Sequence, residues 1–141
     1  MINKHKILQE YIQEFLEDNH LNFDAITNYA GYKAITPTYG DYVIKKDILG
    51  AKYKEYTFAF VGIEYYSTDE SDINTSNMEV YDKFIEWVEE QERTHNYPDF
   101  GENTSEYKIQ PLQNMANVSM RDDTTGTAKY MLACQIMYKE E

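Results

Sequence analysis

The chain has 141 residues and a formal net charge of -12, with 42% hydrophobic and 27% charged residues. This size and composition predict one globular domain and exclude a disordered chain. A balance of 13 basic against 25 acidic residues disfavours a surface that grips the phosphate backbone of nucleic acid. No window is apolar enough to span a bilayer, and residues 1–20 do not resemble a secretory signal. We therefore expect a soluble protein, made inside a cell, with no membrane partner.

The first predicted element is an amphipathic helix from Asn3 to about Asp18. Its apolar residues recur at helical spacing along one narrow stripe, and Asn3 is a suitable N-cap. Residues 32–36 then predict a short strand before Pro37. Residues 41–49 alternate and predict a second strand, with Ile48 on its apolar face and a turn at Gly50.

Residues 53–66 are the longest apolar, aromatic and β-branched run in the sequence. Both alternating faces of this run are largely apolar, which is typical of a strand covered on both sides. We expect it to be the central strand and to pair with residues 41–49 in an antiparallel hairpin.

The polar stretch 67–77 predicts a loop, and a second amphipathic helix should follow it to about Thr94. Ser76 and Glu79 have the spacing of a capping box at the start of that helix. Strands are predicted over residues 107–112, 117–122 and 127–138, and the even positions of the last one should face the core. The whole chain, residues 1–141, is thus predicted to be a single α+β domain, with two amphipathic helices packed on one face of a mostly antiparallel sheet.

No residue pattern indicates catalysis. The three histidines have no partner at metal-ligand spacing, no nucleophile motif is present, and the lone Cys134 is expected to be a small core residue. We therefore predict no catalytic residue, no metal and no cofactor. The acidic segment 64–92 is either a solvated helix face or an anionic surface turned toward a partner. A soluble enzyme with a carboxylate site stays open as an alternative.

Six stretches, mainly in the C-terminal half, carry a resemblance to a known family. They are residues 64–66, 80–91, 97–98, 108–110, 127–130 and 134–138. Together they resemble the minor capsid or tail-terminator proteins of tailed phages and prophages of Gram-positive bacteria. The sequence departs from that pattern at His95-Asn96, where a glycine is usual.

The resemblance implies a structural virion protein at the tail–neck junction, assembled in the host cytoplasm. Such a protein forms a hexameric ring on the head-proximal end of the tail tube, stops its polymerisation and joins the tail to the head. Its partners would be other copies of itself, the tail-tube protein, a neck or head-closure protein, and sheath protein where a sheath exists. Another neck protein, a head-closure stopper or a tail completion protein, is the alternative within this class.

Two groups of residues are candidates for these contacts. A ring needs two different, complementary surfaces on each subunit, and the loop after the central strand and the less apolar face of the last strand are expected to supply them. A second, acidic group would line the ring, so that double-stranded DNA passes without specific binding. The interface candidates are Ser67, Asp69, Glu70, Asp72, Ile73, Met131, Met137 and Tyr138, and the lumen candidates are Glu86, Glu89, Glu90, Asp122 and Asp123.

Overall fold

The structure is a computed structural model that describes residues 3–17, 20–23, 30–67 and 71–141. Over these residues it contains two helices and six strands. The helices are α1 (Lys4–Leu16) and α2 (Ser71–Thr94). The strands are β1 (Leu21–Phe23), β2 (Lys33–Lys46), β3 (Lys52–Tyr65), β4 (Thr104–Pro111), β5 (Asn117–Asp122) and β6 (Thr127–Glu140). The α+β prediction is confirmed.

The six strands form one sheet in the order β1-β2-β3-β6-β4. β1 is parallel to β2, and every other pairing is antiparallel. β4 and β5 share one edge of β6, because β5 pairs with its first half and β4 with its second half. The long pairing of β3 with β6 is therefore the centre of the sheet.

Both helices pack on the same face of the sheet, as predicted. From α1, the ring of Phe15 contacts Phe84 at a centroid distance of 5.1 Å. From α2, Phe84 stacks on Phe60 of β3 at 4.3 Å, and Tyr81 stacks on Tyr130 of β6 at 5.2 Å. Every even position of β6 from Ala128 to Tyr138 faces this layer and is buried.

The start of α1 follows the sequence prediction. The side-chain oxygen of Asn3 accepts hydrogen bonds from the backbone amides of His5 and Lys6, at 3.1 and 3.3 Å. These bonds satisfy two of the amides that a helix start leaves without an intrahelical partner. The buried stripe of α1 consists of Leu8, Ile12 and Leu16.

The predicted start of α2 is wrong. The helix begins at Ser71, so Ser76 lies inside it and its hydroxyl donates to the carbonyl of Ile73 at 3.0 Å instead of capping. The physical reason is a pair of hydrogen bonds further back. Asn74 accepts from the amide of Ser67 at 3.0 Å and donates to the carbonyl of the same residue at 2.5 Å, which fixes the first turns of α2 to the chain leaving β3.

Two further differences concern the N-terminal half. β1 has only three residues and was not predicted. β2 is one strand of 14 residues rather than two, and the register shift between Pro37 and Gly40 absorbs the proline that suggested a break. Ile48, predicted on a core-facing strand, lies instead in the turn between β2 and β3.

Candidate functional site

The predicted interface residues do not form one surface. Asp69 and Glu70 lie outside the described residues. Ser67, Asp72 and Ile73 lie at the start of α2, beyond the last residue of β3. Met131 and Met137 are half-buried on the sheet face opposite the helices.

Tyr138 is a correction among these residues. It is fully buried on the helix side of the sheet, where its ring contacts Phe100 at a centroid distance of 5.2 Å and its hydroxyl accepts a hydrogen bond from Lys4 Nζ at 2.9 Å. Its even position in β6 places it in the core. It therefore offers no surface to another subunit.

The five lumen candidates fall into two separate places. Asp122 lies in the β5–β6 turn, where its Oδ1 accepts from the amide of Thr124 at 2.9 Å, and Asp123 follows it. This turn lies near the start of α2, because Asn77 donates to the hydroxyl of Tyr130 in β6. Glu86 to Glu90 lie about 14 to 20 Å further along the helix at 1.5 Å per residue.

The acids near the end of α2 have different roles. Glu90 pairs with Arg93, and the hydrogen bond from Arg93 holds the pKa of Glu90 below its usual range. Glu92 accepts from the amide of Ile109 at 3.0 Å and from the hydroxyl of Tyr97 at 2.8 Å, which ties α2 to β4. Burial, with the bond to Glu92, raises the pKa of Tyr97 to about 12. Glu86 and Glu89 are exposed, and neither makes such an ion pair or hydrogen bond with another described residue.

Glu86 and Glu89 instead border an open groove between α2 and the β4–β5 connection. The groove has a volume of about 650 Å³ and includes Asn114 among its lining residues. Its apolar residues are Met78, Ile85 and Met115, and its acidic residues are Asp82, Glu86 and Glu89. We call these six residues the acidic groove.

The turn between β2 and β3 holds the second notable surface. Ile48 is completely exposed and Leu49 is 91% exposed. The backbone here is well defined, because Asp47 Oδ1 accepts from the amides of Leu49 and Ala51 at 2.9 and 3.0 Å and its carbonyl accepts from Gly50 at 3.1 Å. We call residues 45–52 the hairpin tip.

Sequence reasoning missed the hairpin tip, although a signal was present. Asp-Ile-Leu-Gly at 47–50 has aspartate at the first and glycine at the last position of a β-turn, which is a favoured arrangement. Gly50 also has a φ of 91°, which favours glycine. The alternating pattern of residues 41–49 predicts Ile48 and Leu49 at the end of a strand, whereas the turn residues on either side place them in solvent.

A buried charge cluster lies under α2 on the helix face of the sheet. Lys33 Nζ is 2.5 Å from Glu64 Oε1, and the hydroxyl of Tyr81 lies 3.5 Å from the same oxygen. Burial and the neighbouring Glu64 carboxylate raise the pKa of Tyr81 above its usual value, so its hydroxyl stays protonated. The side chain of Lys33 is only 6% exposed. Because the two opposite charges are paired and mostly buried, this cluster is arranged as a structural ion pair.

A second ion-pair cluster joins α1 to the ends of the two central strands. Glu140 accepts from Lys54 at 2.9 Å and from Lys4 at 3.1 Å. The hydrogen bonds from these two lysines hold the pKa of Glu140 below its usual range.

Replacing Glu140 with glutamine should lower the free energy of unfolding at pH 7 by about 1 kcal/mol, a modest value because the pair is partly exposed. A depressed carboxyl pKa stabilises the fold above the unfolded-state pKa of about 4.3 and loses this effect as the pH falls through the folded-state pKa. The difference between wild type and E140Q in urea denaturation should therefore be constant from pH 7 to about pH 5 and shrink at lower pH. The control is E102Q, which replaces an exposed carboxylate in a nearby turn. It should leave the free energy of unfolding unchanged over the whole pH range.

Two observations on the described part of the chain concern metal binding and thiol chemistry. It contains no group of three His, Cys, Asp or Glu side chains that could hold a metal ion. Burial raises the pKa of the Cys134 thiol to about 12, which disfavours the reactive thiolate. Neither described helix is long and apolar enough to cross a membrane.

Among the described residues, the fold is an α+β domain whose notable exposed features are the hairpin tip and the acidic groove. A scan of the sequence against protein-family models gives no match. A search of curated proteins gives none either.

Proposed function

We propose that this chain is a structural virion protein, a tail terminator that forms a ring on the head-proximal end of a phage tail tube. The ring stops tube polymerisation and joins the tail to the neck, and double-stranded DNA passes through it. The resemblance of the C-terminal half to that class supplies the specific assignment, and the surfaces of the subunit support an assembly role.

The observation that carries the assembly role is the hairpin tip. Exposed apolar side chains are common singly, but two adjacent aliphatic residues at the end of a long hairpin are costly to leave in water. Ile48 and Leu49 lie on a turn held by three hydrogen bonds that Asp47 accepts, from the backbone amides of Leu49, Gly50 and Ala51. A pre-organised apolar projection of this kind favours docking to another protein, because little conformational entropy is lost on binding.

Charge supports the same role. The net charge of -12 disfavours binding to DNA, since like charge removes the attraction for phosphate. Asp123 is exposed and is an acid available to line a DNA passage, whereas Glu86 and Glu89 border the acidic groove. A basic lumen in an assembled ring would contradict this part of the proposal.

The test is the mass of the purified protein in solution, measured by light scattering with and without the tail-tube protein encoded in the same genome, followed by negative-stain imaging. We expect six-fold rings, or six-fold caps on tube ends together with shorter tubes. Tubes that elongate unchanged beside a monomeric protein would refute the terminator role. Six-fold caps that bind the head side but leave tube length unaltered would assign the protein to another neck position.

A further inference from the structure

We propose that the hairpin tip of one copy docks in the acidic groove of a neighbouring copy. This inference rests on the proposed self-assembly of the chain and names the two surfaces that would meet. It is argued from their chemistry and their placement on the subunit.

The hairpin tip combines apolar and basic side chains. Ile48 and Leu49 project from the turn, and three lysines, Lys45, Lys46 and Lys52, flank them against the single acid Asp47. Residues 45–52 therefore carry three positive charges and one negative charge, a net charge of +2, within a chain whose net charge is -12. Lys45 is held over the ring of Tyr53, with Nζ 4.6 Å from the centroid.

The acidic groove has the complementary composition. Met78, Ile85 and Met115 offer apolar contact, and Met115 is 61% exposed. Asp82, Glu86 and Glu89 add three negative charges along the same stretch of α2. On both surfaces, apolar residues lie beside charged ones, and the charges are mainly positive at the tip and negative in the groove. Contact between the two would bury the apolar side chains and pair opposite charges, which is what a specific interface requires.

One chain cannot place its own tip in its own groove. Phe84, next to Ile85 of the groove, stacks on Phe60 of β3. The tip includes Lys52 at the other end of that strand, eight positions from Phe60 or about 26 Å at 3.3 Å per residue, and Leu49 lies in the turn beyond it. β3 is paired on both sides and cannot fold back. The occupant is therefore a second copy.

The two surfaces lie on different parts of the subunit, so each copy can give its tip to one neighbour and its groove to another, which makes the contact heterologous. A repeated heterologous contact closes into a ring when a whole number of the rotations that relate one copy to the next makes a full turn. The tip acts as the anchor of this contact, and neighbouring residues complete the interface.

Disulfide trapping tests the contact directly. In the double variant I48C/M115C, we expect oxidation to give a ladder of covalent oligomers, because a disulfide needs Cα atoms within about 7 Å and the two cysteines of one chain are too far apart. The control I48C/M120C places the second cysteine at a similarly exposed residue on β5 and should give no covalent oligomers on a denaturing gel. Cys134 is buried and needs no replacement. Equal cross-linking of both variants, or of neither, would overturn the inference.

Charge reversal tests the pairing of the two surfaces. K45E/K46E and E86K/E89K should each weaken self-association at least tenfold in sedimentation velocity, and the fourfold variant should recover most of it. M120D is the control and should associate like wild type. If tube capping persists in K45E/K46E and E86K/E89K, the tip-to-groove contact is wrong while the terminator role stands. If the proteins associate as expected but never cap tubes, the terminator role is wrong while the contact stands.

Discussion

Replacing Lys33 with methionine should lower the free energy of unfolding by about 3 kcal/mol, because removing one partner of a buried ion pair leaves the other charge uncompensated. Glu64 would keep only the long contact to the hydroxyl of Tyr81, at 3.5 Å. Its side chain is 15% exposed, so water could relieve only part of the loss. Urea denaturation monitored by the fluorescence of Trp87 measures the change.

Two further variants separate the charge effect from packing. Lys46→Met removes an exposed lysine from the same strand and should change stability by less than about 0.5 kcal/mol. The double variant K33M/E64L removes both charges and should recover most of the loss, because an apolar replacement of a whole buried pair is often neutral. A K33M variant as stable as K46M would show that the pair contributes nothing.

Replacing Gly62 with alanine should destabilise the fold by about 2 kcal/mol, within the range for added bulk in a packed site. A Cβ at this position would lie 1.9 Å from the hydroxyl oxygen of Tyr81 and 3.1 Å from Cδ of Lys33. Neither group can move freely, because Tyr81 stacks on Tyr130 with an interplanar angle of 9° and Lys33 is held by Glu64.

A suppressor tests this explanation. In a Tyr81→Phe background the closest remaining atom of the ring is Cζ at 3.0 Å, so the cost of G62A should fall by about half. Tyr81→Phe alone should cost less than about 1 kcal/mol, because its hydrogen bond to Glu64 is long. Equal costs of G62A in both backgrounds would show that the hydroxyl is not the obstacle. Thermal unfolding of the four proteins gives the full cycle.

Sequence pattern predicted the elements whose burial repeats at a regular period. β6 alternates over 12 residues, and its even positions are all buried. α1 has both a stripe and a capping residue, and its start was placed correctly at Asn3. The prediction was wrong at the start of α2. Ser76 has the spacing of a helix cap, but the hydrogen bonds between Asn74 and Ser67 determine where the helix begins.

The candidate site was harder to predict because it depends on pairs of distant segments. Nothing in the sequence places Met115 beside Ile85, which lies 30 positions earlier, since only the return of the chain from β4 to β5 brings them together. The lumen candidates show that residues of the same charge can have different roles in the fold. Glu90 and Asp122 have the same charge, yet one is paired with Arg93 and the other holds a turn.

The position of β6 between β3 and β4 affects how the chain can fold during its synthesis. β3 and β6 pair over their full lengths, Lys52 with Glu140 at one end and Tyr65 with Thr127 at the other. The centre of the sheet thus cannot close until residues 127–140 have left the ribosome, and pairings so distant in sequence are slow to form. Until then β3 exposes a strand edge and an aromatic face, and exposed edges and apolar surfaces of this kind favour aggregation.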